Sequence, residues 1–435
     1  MTRVFLLLFF SCISSAIQAD DWPHFLGPNH NGHSAETGLD WDFEREDFKP
    51  VWTYEKGKGH AGPVVVDDHV VFIHQKDKNE EIVCLKAENG SKIWKHSYGV
   101  EVGQNFGIVD APRSSPVIDP DTKTVYTLGN DGDLLALELE SGKVLWQLKV
   151  GEKFGDAPTF FGIGSCPLLL GDLLIIHVGS DDTFAVALNK TNGEVVWKNQ
   201  HEWHGSYASP IPGKINGEDR ILIYAGGKTK PPAGGLVCLN PKDGKIDSSF
   251  PWRTSNPTSV VASSPVVCDN NQVFISEDYG KSGVMIQFDS NFKQRLAWTT
   301  EHLGCQFQTP IFHDGMLTGF GGTGGLMVSY DTQFERLHMD ETFIKLTIPY
   351  NDRELAVNMG RGSLIWADGD YVVLGENGTL LRLAIALRQK PVVLSKAVPF
   401  YAPETWAPPV LSNGRLYLVQ NEMGSKVICY DVRKK

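Results

Sequence analysis

A small residue, then proline, then a β-branched or apolar residue recurs along this chain at intervals of 43–55 residues. The motif stands at Gly62-Pro63-Val64, Ser115-Pro116-Val117, Cys166-Pro167-Leu168 and Ser209-Pro210-Ile211. It returns at Ser264-Pro265-Val266, Thr309-Pro310-Ile311 and Pro408-Pro409-Val410, and Gly362-Ser363-Leu364 fills the seventh place with Ser for Pro. Proline cannot donate to a β-ladder, so it suits the first residue of a strand. A hairpin turn of Asp, Asn or Gly follows, as at Asp67-Asp68, Gly171-Asp172, Asn270-Asn271, Asp314-Gly315, Asp368-Gly369 and Asn413-Gly414. Such pairs supply the positive φ that tight hairpins need. The returning strands are strongly β-prone, for example Val70-Val71-Phe72-Ile73 and Leu416-Tyr417-Leu418-Val419. A second Gly turn, a third strand and a third turn complete the module. In four copies that third turn is Asn89-Gly90, Ser141-Gly142, Asn192-Gly193 and Asp243-Gly244.

Eight modules of about four strands each, at a period near fifty, predict an all-β chain folded as one eight-bladed β-propeller of antiparallel blades. The ends of the chain explain each other. The last module stops at its third strand, Val427–Asp431, while an orphan strand, Val51-Trp52-Thr53-Tyr54, precedes the first. The strand at Trp52 is therefore expected to complete the eighth blade and close the ring, which removes a free sheet edge. The expected division is a signal peptide over 1–19, an N-terminal extension over 20–49 and the propeller over 50–435.

The first nineteen residues read as an export signal. Arg3 precedes an apolar core from Val4 to Phe10, and Ala16 to Ala19 offer small residues for cleavage. Phe9-Phe10-Ser11 before Cys12 is a poor lipoprotein box, so a soluble periplasmic or extracellular product is expected rather than one anchored through Cys12. The apolar run is too short to span a membrane. A formal net charge of −12 argues against a nucleic-acid partner, because phosphate binding needs a basic surface. Cys84, Cys238 and Cys429 share one third-strand position and read as core residues. No Cys-x-x-Cys pair suggests a metal or redox motif.

The Leu-x-x-x-x-Gly-x-x-x-Trp ending, clearest in Leu137–Trp146 and Leu188–Trp197, resembles the pyrroloquinoline-quinone (PQQ) type propeller repeat. The opening Trp22-Pro23-His24-Phe25-Leu26-Gly27-Pro28-Asn29 is similar to the start of many exported propellers of that family. The resemblance implies two uses: quinoprotein dehydrogenases holding PQQ and Ca²⁺ on the axis, and non-catalytic scaffolds similar to BamB of the outer-membrane assembly machinery. The dehydrogenases resemble one another in a vicinal Cys-Cys disulfide, which this chain lacks, and many carry a Cys-x-x-Cys-His haem motif, also absent. The non-catalytic branch is therefore expected: a monomer binding a protein segment or small molecule, with no cofactor. The alternatives are a PQQ- and Ca²⁺-dependent dehydrogenase of alcohols or sugars, and a propeller that binds or cleaves polysaccharide.

Two sets of residues carry these expectations. Trp52, Trp94, Trp146, Trp197, Trp252 and Trp298 are expected to dock between blades. Asp110, Arg113, His204, Tyr207, Gln306, Gln308, Asn358, Arg361, Glu404 and Trp406 lie within about six residues of an opening motif, so repeat geometry places them at one mouth of the central channel. Asp110, Asn358 and Glu404 are the residue types that a Ca²⁺ site would use. His24, His30 and His33 are read as exposed loop residues, because their spacing matches no regular ligand pattern.

Overall fold

The computed structural model describes residues 20–101, 104–105, 108–109, 111–157, 159–321, 326–341, 346–350, 353–357, 359–386 and 391–434. Eight four-stranded antiparallel sheets succeed one another along the chain as blades. Blade one, for instance, is built of Val64–Val66, His69–Lys76, Asn79–Lys86 and Lys92–Gly99, from the axis outward. The closing blade combines Val410–Ser412, Arg415–Gln420 and Lys426–Asp431 with Pro50–Glu55 as its outer strand. The ring is thus shut by the strand that carries Trp52, as its sequence predicts. The predicted hairpin turns have the required conformation, with φ of 52° at Asp67, 58° at Asn270 and Asn271, 50° at Asp368 and 54° at Asn413. Two small hairpins, Gln104–Asn105 with Ile108–Val109 and Leu346–Tyr350 with Arg353–Val357, decorate inter-blade loops. A helical turn, Val150–Phe154, opens a third such loop.

Blades dock through a repeated contact. The indole of Trp94 in blade one lies over the Gly142 turn of blade two and donates from Nε1 to the Leu139 carbonyl at 2.7 Å. Trp52 stands in the same way on Gly90 and Ala87 O (2.9 Å), Trp146 on Gly193 and Lys190 O (3.0 Å), and Trp197 on Gly244 and Pro241 O (2.8 Å). The glycines are needed twice over. Their φ is near 70°, and a Cβ at Gly142 would sit 2.5 Å from the Trp94 ring.

Trp252 departs from this scheme. The residue paired with Cys238, where the other blades pair Cys84 with Trp94 and Ala136 with Trp146, is Ser248. Ser248 Oγ donates to the Phe292 carbonyl of blade five at 2.6 Å, replacing the indole N–H. The turn it meets has Phe292 at φ 60° in place of glycine. Trp252 lies four residues further on, past the end of its strand, and reaches blade five at another point, its Nε1 donating to the Ser282 carbonyl at 3.2 Å with Lys281 4.1 Å above its ring. Trp298 does hold the register position, paired with Met285, and stacks on Tyr330 of blade six at 4.6 Å.

The opening motif explains itself around the axis. Gly62 N–H donates to Ser115 Oγ (3.0 Å), Ser115 N–H to Cys166 Sγ (3.2 Å) and Cys166 N–H to Ser209 Oγ (3.0 Å). Ser209 N–H then donates to Ser264 Oγ and Ser264 N–H to Thr309 Oγ1, both at 3.0 Å. In blades two to six the first residue of the motif is small because it must fit the hub, and bears a hydroxyl or thiol because it satisfies its neighbour's buried N–H. Blades one, seven and eight carry Gly62, Gly362 and Pro408 there, which offer no side-chain acceptor. Ser115→Ala is expected to destabilise the ring by about 1–3 kcal/mol by orphaning the Gly62 N–H, and Ser115→Cys by less, because Cys166 already fills the equivalent place. Urea midpoints of the two variants check this, and equal midpoints would refute the acceptor role.

The N-terminal segment is built into the ring. Trp22 pairs with Val65 of blade one, and the Pro23 carbonyl accepts from Ile118 of blade two at 2.9 Å. After a loop the chain reaches blade seven, where Trp366 N–H donates to Gly32 O (2.9 Å) and Ser34 N–H to Trp366 O (3.0 Å). Residues 24–31 therefore cross the base of the channel. Leu39, Trp41 and Phe43 then bury themselves in the blade-eight core on the way to Pro50. The expectation of exposed histidines fails here. His24 and His30 stack at 4.4 Å, and His33 meets His313 at 5.3 Å and Trp366 at 5.3 Å, because the segment is sandwiched under the ring. Burial pushes the His24 and His33 imidazoles down to about 4, so they stay neutral. All six described cysteines are buried free thiols.

Candidate functional site

The innermost strands start at the opposite mouth, and there the inter-blade loops surround an open cavity. Its wall begins with the hub residues Gly62, Ser115, Cys166, Ser209, Thr309 and Ser363. Above them stand aromatic rings: Phe161 and Tyr207 on one side, Phe307, Trp406 and His60 on the other. Phe25 and Leu26, from the segment crossing the base, form the floor. The funnel is therefore open at one end only.

Each wall residue is fixed by its own hydrogen bonds. Tyr207 takes its place because its N–H donates to Val261 O (2.8 Å), while its hydroxyl accepts from Phe161 N–H at 2.8 Å. Arg113 donates to the Ala111 and Phe161 carbonyls at 3.0 and 2.9 Å and lies 5.2 Å above the Phe161 ring. Opposite, the Arg361 guanidinium lies between Phe307 and Trp406, at 5.0 and 5.1 Å from their ring centres. It ion-pairs with Glu376 and donates to Gln306 Oε1 at 3.2 Å. Trp406 Nε1 donates to the same Glu376 carboxylate at 2.9 Å and stacks on His60 at 4.7 Å. Burial pushes the Glu376 carboxyl up, but the bonds from Arg361 and Trp406 outweigh it and hold the group below its ordinary range. Burial drives the His60 imidazole down to about 3, helped by the nearby Arg113 and Lys56 charges. The wall thus presents a neutral imidazole and Arg113 beside aromatic faces, with Arg361 held behind Phe307 and Trp406.

Of the residues expected at this mouth, Arg113, Tyr207, Gln308 and Trp406 line the cavity. Gln306 and Arg361 form the layer behind, with Gln306 Nε2 donating to the Tyr279 hydroxyl. His204 does not join them: it faces Asp181 at 3.1 Å in the neighbouring turn, where its loop folds outward. Glu404 stands at φ 59° beside the cavity and contributes its carbonyl, accepting from Asn421 at 2.8 Å. Asp110 and Asn358 lie outside the described residues. Sequence reasoning missed His60, Phe161, Phe307, Glu376 and the two floor residues. His60 precedes Gly62 by two positions and was within reach of the same spacing argument.

A Ca²⁺ ion needs about six to eight converging oxygens, usually with carboxylates among them. Among the described residues no carboxylate lines the cavity, and Glu376 behind it is already committed to Arg361 and Trp406. No group of three His, Cys, Asp or Glu side chains suited to a metal occurs among the described residues. The described donors by themselves do not make up a calcium site, and Asp110 and Asn358, two of the three expected ligands, are not among them.

Fold and site together define an eight-bladed propeller with a one-ended axial funnel. The family model described as outer membrane protein assembly factor BamB, a PQQ-type propeller, matches residues 78–327, and the chain belongs to that family. It is 22% identical over 325 residues to BamB from Yersinia pestis, covering 68% of this chain and 77% of that protein. It is 26% identical over 185 residues to a quinoprotein ethanol dehydrogenase from Pseudomonas putida, covering 39% of this chain. It spans 27–37% of the length of that enzyme and two other quinoprotein alcohol dehydrogenases it matches. The solved quinohemoprotein alcohol dehydrogenase of Comamonas testosteroni superposes with a TM-score of 0.62 at 13% identity, over 97% of this chain and 82% of that one. Among the described residues no helix is long and apolar enough to cross a membrane.

Proposed function

We propose that this protein is an exported, non-catalytic binding propeller that receives a partner's side chain or a small molecule in its axial funnel. The observation that carries this reading is the composition of the wall. Aromatic rings with Arg113 among them offer stacking and charge-assisted hydrogen bonds. A reaction would need a general base with a pKa near the working pH beside the ligand, and among the described residues the wall supplies no carboxylate and an imidazole, His60, whose pKa burial lowers to about 3, which makes it a weak base. The similarity to BamB over two thirds of the chain supports the same branch. The matches to quinoprotein alcohol dehydrogenases favour the second reading, an enzyme holding PQQ at this place.

Incubation with PQQ and CaCl₂ followed by desalting separates the two. No quinone absorbance is expected to stay with the protein, and no dye reduction with ethanol or glucose. Retained quinone together with dye reduction would overturn the binding reading.

A further inference from the structure

Glu36 is wholly buried, at 0% exposure, between the N-terminal segment and the hairpin turn of blade eight. Its Oε2 accepts from Gly414 N–H at 2.7 Å, and the main-chain N–H groups of Asn413 and Asp20 also bear on the carboxylate. Its Oε1 has no hydrogen-bond partner. Among the described residues no Lys, Arg or His forms an ion pair with it, and the nearest charge is another carboxylate, that of Asp20. Burial, with a smaller push from Asp20, raises the Glu36 carboxyl to about 7. A buried carboxylate without a cation is strongly disfavoured, so one is ordinarily paired.

Asp20 is pinned beside it. Its carbonyl accepts from Ser412 Oγ at 3.0 Å and Asn413 N–H at 3.3 Å, and its carboxylate accepts from Ala35 N–H at 3.4 Å. These bonds hold the Asp20 nitrogen against Glu36 whatever precedes it. That nitrogen carries one hydrogen and no charge while it belongs to a peptide bond. As a chain terminus it would be an ammonium with three donors and a pKa of about 7.7–8.0 before any partner acts on it.

We propose that the Ala19–Asp20 bond is the site of export processing, and that the α-ammonium it frees is the missing partner of Glu36. An export peptidase hydrolyses the bond with one water, leaving a carboxylate on Ala19 and an amine on Asp20, which takes up a proton. The new cation pairs with the unsatisfied Glu36 Oε1 and brings that carboxyl back into its ionised range. The pair fastens the start of the segment that floors the funnel. The inference stands on Glu36 and Asp20 and is independent of what the funnel binds.

The test compares the chain starting at a free Asp20 with the same chain carrying Gly-Ser ahead of it. The free terminus is expected to melt about 3 °C higher, and its α-amine to react more slowly with an acylating reagent at pH 7. Both differences should vanish in Glu36→Gln, since the amide cannot hold a charge pair. Should Glu36→Gln fail to fold, the free and extended chains with Glu36 intact still decide. Equal melting and equal amine reactivity would overturn the proposal. So would sequencing of the exported protein that finds a first residue other than Asp20.

Discussion

Trp94→Ala is expected to lower the stability of the ring by about 3–5 kcal/mol, the usual cost of deleting a buried large aromatic side chain. The indole is 8% exposed, fills the joint between blades one and two, and its N–H satisfies the Leu139 carbonyl. Truncation leaves a cavity and an unpaired carbonyl at once. Gly142→Ala attacks the same joint from the other side, by placing a Cβ 2.5 Å from the ring in a residue at φ 70°. That change is expected to cost about 1–3 kcal/mol, from strain and overpacking together. In the double variant the clash is gone, because no ring remains to meet the Cβ. The combined loss should therefore fall short of the sum by about 1 kcal/mol or more. Urea denaturation followed by far-ultraviolet circular dichroism measures all three. Strict additivity would mean that the indole and the glycine do not act as one device.

This device is also why so much of the fold could be read in advance. Gly142 and Trp146 sit four apart because the third turn and the outer strand of a blade are continuous, and each faces a different neighbour. Gly142 receives Trp94 from the blade before, and Trp146 reaches Gly193 in the blade after. A pattern needed by two interfaces at once recurs with little drift, so it shows in the sequence. In blade four the docking indole is displaced from its place in the repeat while still reaching blade five at Ser282. Trp252 has the right side chain near the right place, yet the register position belongs to Ser248. The substitution is compensated in another blade, where Phe292 takes the positive φ that glycine holds elsewhere. A compensation 44 residues away leaves no local mark.

The site was legible where it follows the repeat and opaque where it does not. Arg113, Tyr207, Gln308 and Trp406 each lie just before an opening motif, and a strand that starts at the hub carries its preceding residues to the rim. Phe161 and Phe307 follow the same rule, but a phenyl ring, with no polar atom, reads as core in a β-rich chain. Glu376 comes from a different set of turns, those between the second and third strands, and only its bonds to Arg361 and Trp406 join it to the site. The floor was beyond reach for another reason. Phe25 and Leu26 belong to no repeat, and which mouth of the channel an N-terminal segment crosses is settled by its pairing with Val65, Ile118 and Trp366.

The cavity wall has a second support, and breaking it should cost as much as removing an indole. Glu277→Ala is expected to destabilise the protein by about 3–5 kcal/mol. Glu277 is wholly buried at the joint of blades four and five and ion-pairs there with Arg253. It also accepts from Ser259 Oγ at 2.5 Å, Thr254 N–H at 3.0 Å and the Tyr224 hydroxyl at 3.4 Å. The guanidinium reaches on to the Ser259 carbonyl at 3.2 Å. Removing the carboxylate strands that cation in a site it cannot leave, and the penalty is mostly that of an uncompensated buried charge. Replacing both partners together, as Arg253→Met with Glu277→Leu, should therefore cost less than Glu277→Ala alone. The effect reaches the funnel because Arg253, Thr254 and Ser259 begin the loop that sets Val260 and Ala262 in the cavity wall. Amide hydrogen exchange across residues 253–263 should accelerate in Glu277→Ala and change little in Ser115→Ala, whose defect lies at the hub. Unchanged exchange in that loop would show that the buried pair holds the blades alone and has no part in shaping the wall.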